Sequence, residues 1–244
     1  MKEIGLETEQ IPSRSDEKFP DIIAKHGKEQ YIVELKIKSD DLEELKEEEA
    51  VLRQGEIVHK ETPTGPRNRL YAIISDGVKQ MVTYDRGHNA FHIIWLHSTG
   101  QNAALLNKRF HATLFGTQDL ISVQRKYVTT CYYFKESSFF SHRYELDGAI
   151  LTYENKLQLC VNSLSSIYQS LTQSFLYRNL SKGLCDPTIL TGNANVMIAD
   201  CDFNRKGEIK ILKYLEDKYA LRHLQAINMK QFSGKTLLSK NGST

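Results

Sequence analysis

The chain has 244 residues, 40% of them hydrophobic and 25% charged, which is the balance of a globular protein and not of a disordered one. Lys and Arg total 32 against 30 Asp and Glu, for a net charge of +2, so a polybasic coat is excluded and a nucleic-acid partner would have to be met by a local patch. Apolar runs are short, as in Ile93-Ile94-Trp95-Leu96. A spanning helix needs about twenty such residues, so no membrane span is expected.

At about 100–200 residues per domain, the length allows one or two domains. Met1 to Gln10 is acidic and has no apolar h-region, so the expected setting is cytoplasmic. The four cysteines, Cys131, Cys160, Cys185 and Cys201, form no C-x-x-C pair and read as buried or free thiols.

In chain order, a short helix is expected over Lys2–Gln10, followed by a loop. Residues 19–38 read as a hairpin. Tyr31, Val33, Leu35 and Ile37 alternate with Ile32, Glu34, Lys36 and Lys38, and His26-Gly27-Lys28 supplies the turn. The acid-rich stretch 40–54 repeats Leu42, Leu45 and Leu52 at helical spacing, and Asp40 is placed to cap it. After a Pro/Gly loop at Thr62–Pro66, Leu70–Ile74 and Phe91–Leu96 read as strands, the second buried on both faces.

Further on, Lys126–Phe134 reads as a strand and Tyr144–Asn162 as a second hairpin turning at Glu154-Asn155. Ser163–Leu180 reads as a helix, Val196–Ala199 as a strand, and Ile209–Ile227 as one or two helices. The tail from Ser233 is polar and is expected to fray. Strands interleaved with helices give an α/β fold class.

The first hairpin carries the chemistry. With the turn centred on Gly27-Lys28, Asp21 falls directly opposite Glu34, and opposed side chains share a face. Lys36 lies two residues further along the strand, on that same face. Ile22, Ala24, Val33 and Leu35 occupy the other face and would enter the core. Two adjacent carboxylates suit a hard divalent cation such as Mg²⁺, which lowers the pKa of a bound water and offsets charge on a phosphoryl oxygen. A neighbouring ammonium can orient that water or stabilise the transition state. The competing reading is an exposed strand pair with a cross-strand Glu–Lys ion pair.

Phe19-Pro20-Asp21, a twelve-residue gap, then Glu34-Leu35-Lys36 in an apolar strand resembles the PD-(D/E)xK nuclease superfamily, over roughly residues 1–100. The resemblance implies a restriction-endonuclease-like mixed central sheet flanked by helices, dependence on Mg²⁺ (or Mn²⁺), and products ending in 5′-phosphate. It implies catalytic roles for Asp21, Glu34 and Lys36. Metal ligation would fall to Asp21, Glu34 and the Leu35 carbonyl, with Lys36 acting on the water. The family's N-terminal helix often adds an acid; only twenty residues precede Asp21, and among Glu3, Glu7 and Glu9 the choice falls on Glu9.

A repeat is visible further along. Asp147 precedes Cys160 by the spacing that separates Asp21 from Glu34, and Asn162 by the spacing from Asp21 to Lys36. Either the fold is duplicated with a degenerate second copy, or two unrelated hairpins share a length. The expected division is a nuclease-like domain over 1–120 and a second α/β domain over 121–244 serving DNA binding or dimerisation. Nine Lys or Arg against three acids between Arg205 and Lys240 would suit a phosphate backbone, as would Lys108, Arg109, Arg125, Lys126 and Arg143 near Tyr127, Tyr132 and Tyr133. His88, His92 and His97 invite a zinc reading, but their segment looks like a strand and has no H-E-x-x-H pattern.

The expectation is a metal-dependent DNA endonuclease of restriction or anti-phage defence, with RNA the lesser alternative and a homodimer or defence-complex protein as partner. The alternatives are a catalytically silent nuclease-like module that binds DNA or protein, and an endonuclease subunit of transposition or repair.

Overall fold

A computed structural model describes residues 4–12 and 18–236. Its strands and helices, in chain order, begin with β1 (Glu7–Gln10), β2 (Ile22–His26), β3 (Glu29–Lys38), α1 (Leu42–Arg53), β4 (Val58–Pro63), α2 (Asn68–Tyr84), β5 (Phe91–Ser98) and α3 (Ala103–Phe115). They continue with β6 (Gln118–Ser122), β7 (Arg125–Tyr132), α4 (Ser138–Ser141), β8 (Gly148–Tyr153), β9 (Lys156–Val161), α5 (Tyr168–Thr172) and α6 (Phe175–Asn179). The chain ends with β10 (Leu184–Cys185), α7 (Pro187–Leu190), β11 (Val196–Ile198), α8 (Glu208–Tyr219), β12 (Gln225–Ile227) and β13 (Lys230–Lys235).

The architecture is α/β, with a mixed seven-stranded sheet in the order β1-β2-β3-β5-β8-β9-β10 flanked by helices. β3, β5 and β8 are parallel neighbours, while β1-β2-β3 and β8-β9 are antiparallel. One face of this sheet buries Ile32, Ile94, Leu96, Ala149 and Leu151 beneath α2 and α3, which contribute Ile74, Val78, Phe110 and Leu114. The other face buries Tyr31, Val33, Ile93, Ile150 and Leu159 against Leu171 and Leu176 of α5 and α6. Ala24 and Val33 belong to this second core as expected and Ile22 packs against it, whereas Leu35, expected there too, lies near the end of β3 and is only half-buried. A four-stranded sheet, β11-β7-β6-β12, has its own core with Ile211 and Leu215 of α8. β4 and β13 form a separate two-stranded ribbon.

The main sheet draws strands from both sides of residue 120, because β8 pairs with β5. The expected boundary therefore does not fall between separate sheets, and Tyr132 and Ile198 of the smaller sheet join the core beneath α2 and α3. No helix among the described residues is long and apolar enough to cross a membrane.

Several elements differ from the sequence reading. Glu7–Gln10 is a strand and not a helix: Gly5 has φ +89°, and the segment gains a ladder on β2. Leu70–Ile74 belongs to α2, whose buried residues Leu70, Ile74, Gly77, Val78 and Met81 recur at helical spacing. α1 is capped by Asp41, which accepts the Glu43 N–H at 3.1 Å, while Asp40 accepts the Asn102 N–H.

The expected helix over Ser163–Leu180 is two short ones, the second capped by Ser174. α8 stops where Ala220 turns to φ +50°, so Gln225–Ile227 is free to join β6 as a strand. Lys230–Lys235 is no frayed tail but the partner of β4; residues 237–244 lie outside the described residues.

Candidate functional site

β2 and β3 pair in the register Ile22↔Val33, Ile23↔Ile32, Ala24↔Tyr31, with Gly27 at φ +57° in the turn. The next step of that ladder sets Asp21 opposite Glu34, as the sequence implied. Asp21 is exposed, just before β2, and its Oδ2 accepts the Leu35 N–H at 2.8 Å. A strand residue directs its N–H and C=O to the same edge, so the Leu35 carbonyl also faces the Asp21 side of β3.

Glu34 is only 2% exposed. Its Oε1 pairs with the Lys36 ammonium, and its Oε2 is buried with no N–H or hydroxyl donor, the Asp21 carboxylate being its polar neighbour. This arrangement departs from the exposed cross-strand ion pair that formed the competing reading: the pair lies along one strand and one member is buried.

α2 covers the face. A Cβ at Gly77 would fall 2.9 Å from Ile94 Cδ1 and 3.1 Å from Glu34 Cγ, so only glycine lets the helix come this close. Phe19 packs edge-on against Tyr84 at the C-terminal end of the same helix, at 5.5 Å between centroids. Burial pushes the Glu34 carboxyl up to about 7; the Lys36 ammonium opposes that rise and the adjacent Asp21 carboxylate adds to it.

Glu9 lies on β1 opposite Ile23, so it shares the Asp21 face but sits exposed on the outer strand instead of on the helix that the resemblance implied. Glu3 lies outside the described residues.

Two carboxylates are neighbours here, one oxygen of Glu34 being buried without a donor, and the Leu35 carbonyl faces the same edge of β3. That donor set fits a hard cation such as Mg²⁺ better than a soft one. From Lys36 the β3 face leads to Lys38, which lines a groove of about 250 Å³ with Arg67, Arg69, Arg109 and Lys60. Asp40, Asp41 and Glu44 line it too, so its charge is mixed. On the other side, Lys18, Lys79 and Gln80 line a shallow groove along α2.

The second hairpin does not reproduce this geometry. Gly148 pairs with Val161 and Ala149 with Cys160, and the Asn162 N–H donates to the Asp147 carbonyl at 2.9 Å. Asp147 is thus opposite Asn162, two residues from the register that would match Asp21 and Glu34. Its carboxylate is saturated: it bonds to His88 Nε2 at 2.7 Å, the His92 N–H at 2.8 Å and the Ser165 hydroxyl at 2.6 Å.

That contact holds the His88 imidazole above its ordinary pKa, whereas burial and the neighbouring His88 push His92 down. The two rings stack at 4.3 Å, while His97 instead meets the Thr152 hydroxyl, so the three histidines do not converge. Some of the expected basic and aromatic surface is also internal. Tyr132 and Tyr133 are buried, and Arg205 is spent on the Ala199 and Cys201 carbonyls.

No family model matches the chain, and no curated protein or solved structure matches it significantly.

Sequence reasoning missed a second convergence. Cys160 of β9, Cys185 of β10 and His111 of α3 bring their ligand atoms within 4.8 Å of one another. The Cys160 thiol and the His111 ring hold the Cys185 thiol well below its usual range, while burial raises Cys160. No local spacing announces the group, because its members come from three separate elements.

Proposed function

We propose that the chain is a metal-dependent nuclease of the PD-(D/E)xK type, with a restriction-endonuclease-like core in which β2, β3, α2 and β5 carry and cover the site. The observation that carries this reading is the buried, unpartnered Oε2 of Glu34 beside Asp21 and Lys36. A buried carboxylate oxygen without a donor is costly in a merely structural pair and is accounted for if a cation is its partner.

Asp21, Glu34 and the Leu35 carbonyl would hold Mg²⁺ or Mn²⁺. When bound, the ion supplies an acidified water and charge neutralisation at phosphorus. Leu35 N–H orients the Asp21 carboxylate, and α2 excludes bulk water from Glu34. Lys36, released from Glu34, carries its ammonium at the position where it can orient the water or meet the charge growing on the phosphoryl oxygens. Lys38 and the Arg67, Arg69 and Arg109 groove would track the phosphates of a nucleic acid on one side of that point; DNA is the substrate that the family resemblance suggests. Restriction or anti-phage defence is the setting that the family resemblance suggests.

The test is incubation of the protein with supercoiled, linear and single-stranded DNA in Mg²⁺ or Mn²⁺. Cleavage that disappears in both Asp21→Ala and Lys36→Ala supports the assignment. Cleavage that survives in both overturns it. DNA binding without cleavage by the native chain makes it a silent nuclease-like module instead.

A further inference from the structure

We propose that His111, Cys160 and Cys185 form a second metal site, separate in place and in chemistry from the carboxylates, and that it takes a single zinc ion. Cys160 and Cys185 are directly opposed across the parallel β9–β10 ladder, so the backbone register itself sets the two sulfurs side by side. α3 packs over that part of the sheet and brings His111 Nε2 to 3.3 Å from Cys185 Sγ. A tetrahedral zinc with bonds of about 2.0–2.1 Å to nitrogen and 2.3 Å to sulfur requires a nitrogen–sulfur edge of about 3.5 Å. This edge therefore stands close to that arrangement already, with the Cys160 sulfur within 4.8 Å of both atoms.

The donor set decides the metal. Two thiolates and an imidazole suit a borderline-soft ion and disfavour Mg²⁺ or Ca²⁺, which prefer oxygen. Both cysteines are buried and His111 is half-buried, so the imidazole side offers the route of entry. The Tyr132 hydroxyl lies 3.8 Å from Cys185 Sγ, where it can donate to the thiolate and tune it, as outer partners of metal ligands do. Zinc takes both cysteines as thiolates, so any proton still held by either sulfur goes to solvent as two Zn–S bonds and one Zn–N bond form. Three protein ligands leave a fourth position for water.

The site has a plain structural consequence. β10 has only two residues, and a metal bridging Cys185 to β9 and α3 would fasten this short edge strand to the sheet and to the helix above it.

The full chain, stripped with chelator under reducing conditions, is titrated with Co²⁺ as a spectroscopic probe and then with Zn²⁺. One equivalent of Co²⁺ should give a thiolate charge-transfer band that Zn²⁺ abolishes, and zinc should raise the melting temperature. Cys185→Ser should weaken binding by more than about 100-fold, beyond what loss of an outer partner costs. His111→Gln, at a half-buried position, repeats the test if Cys185→Ser does not fold. Asp21→Ala should bind Co²⁺ as the native chain does, which separates this site from the nuclease reading. Absence of the band, its persistence in Cys185→Ser or His111→Gln, or its loss in a folded Asp21→Ala would overturn the proposal.

Discussion

The two hairpins of the main sheet each place an aspartate at the entrance of a strand pair, and the sheet treats them in opposite ways. Asp147 is fully buried and receives three hydrogen bonds, from His88, His92 and Ser165. Glu34, held opposite Asp21, is almost as deeply buried but keeps one oxygen unpartnered. A saturated carboxylate has spent its capacity on the fold. An unsaturated one beside a second carboxylate keeps capacity for a ligand. The contrast comes from a two-residue difference in register as much as from the identity of the residues.

Asp147→Ala should break the comparison most severely. It leaves His88, the His92 N–H and Ser165 without their acceptor, at a cost of about 3–5 kcal/mol in urea unfolding. Asp21→Ala, at an exposed position, should cost less than about 1 kcal/mol in the same experiment. Equal losses would erase the distinction between the two hairpins.

Lys36→Ala should lower DNA cleavage by about 100- to 1,000-fold while the far-ultraviolet circular dichroism stays native. A smaller loss would mean that the ammonium serves Glu34 alone.

Acidity separates the hairpins more finely. The folded Glu34 value of about 7 lies above the ordinary 4.5, so the folded chain binds this proton more tightly than the unfolded chain. Its favourable contribution is complete below about pH 4.5 and is lost as the pH rises through 7. Glu34→Gln should therefore be the more stable chain at pH 8 by about 3 kcal/mol and nearly equal to native near pH 4.5, in denaturant titrations without divalent metal. A pH-independent difference would remove the buried-charge argument.

Among the buried positions, the smallest effect is expected at Gly77. Alanine gains about 1 kcal/mol of helix propensity and loses about 1–3 kcal/mol by crowding Ile94 and Glu34, for a net loss near 1 kcal/mol. A stabilised Gly77→Ala would show that α2 can move away from the site.

What could be read from the sequence was local. The β2–β3 register followed from strict alternation and one glycine turn, so Asp21, Glu34 and Lys36 could be placed on a common face before any coordinates. Leu70–Ile74 misled because a five-residue window of large apolar residues fits either period; only Val78 and Met81 beyond it reveal the helix. The β4–β13 ribbon joins Val58 to Lys235, and nothing near Lys230–Lys235 signals a partner so far away. His111, Cys160 and Cys185 were hidden for the same reason: their meeting is a property of topology. Burial of Glu34 was also hidden, since it depends on which helix crosses above it.

The β2–β3 hairpin has a kinetic consequence. Its three chemical residues lie within the sixteen positions from Asp21 to Lys36, joined by a tight turn, so they can meet in the time of hairpin closure, about 1–10 μs. The environment that leaves a Glu34 oxygen without a donor depends on a separate segment, beginning at Asn68, that docks as α2. Until that helix docks, this carboxylate is open to water; its raised pKa belongs to the helix that covers it and not to the hairpin that carries it.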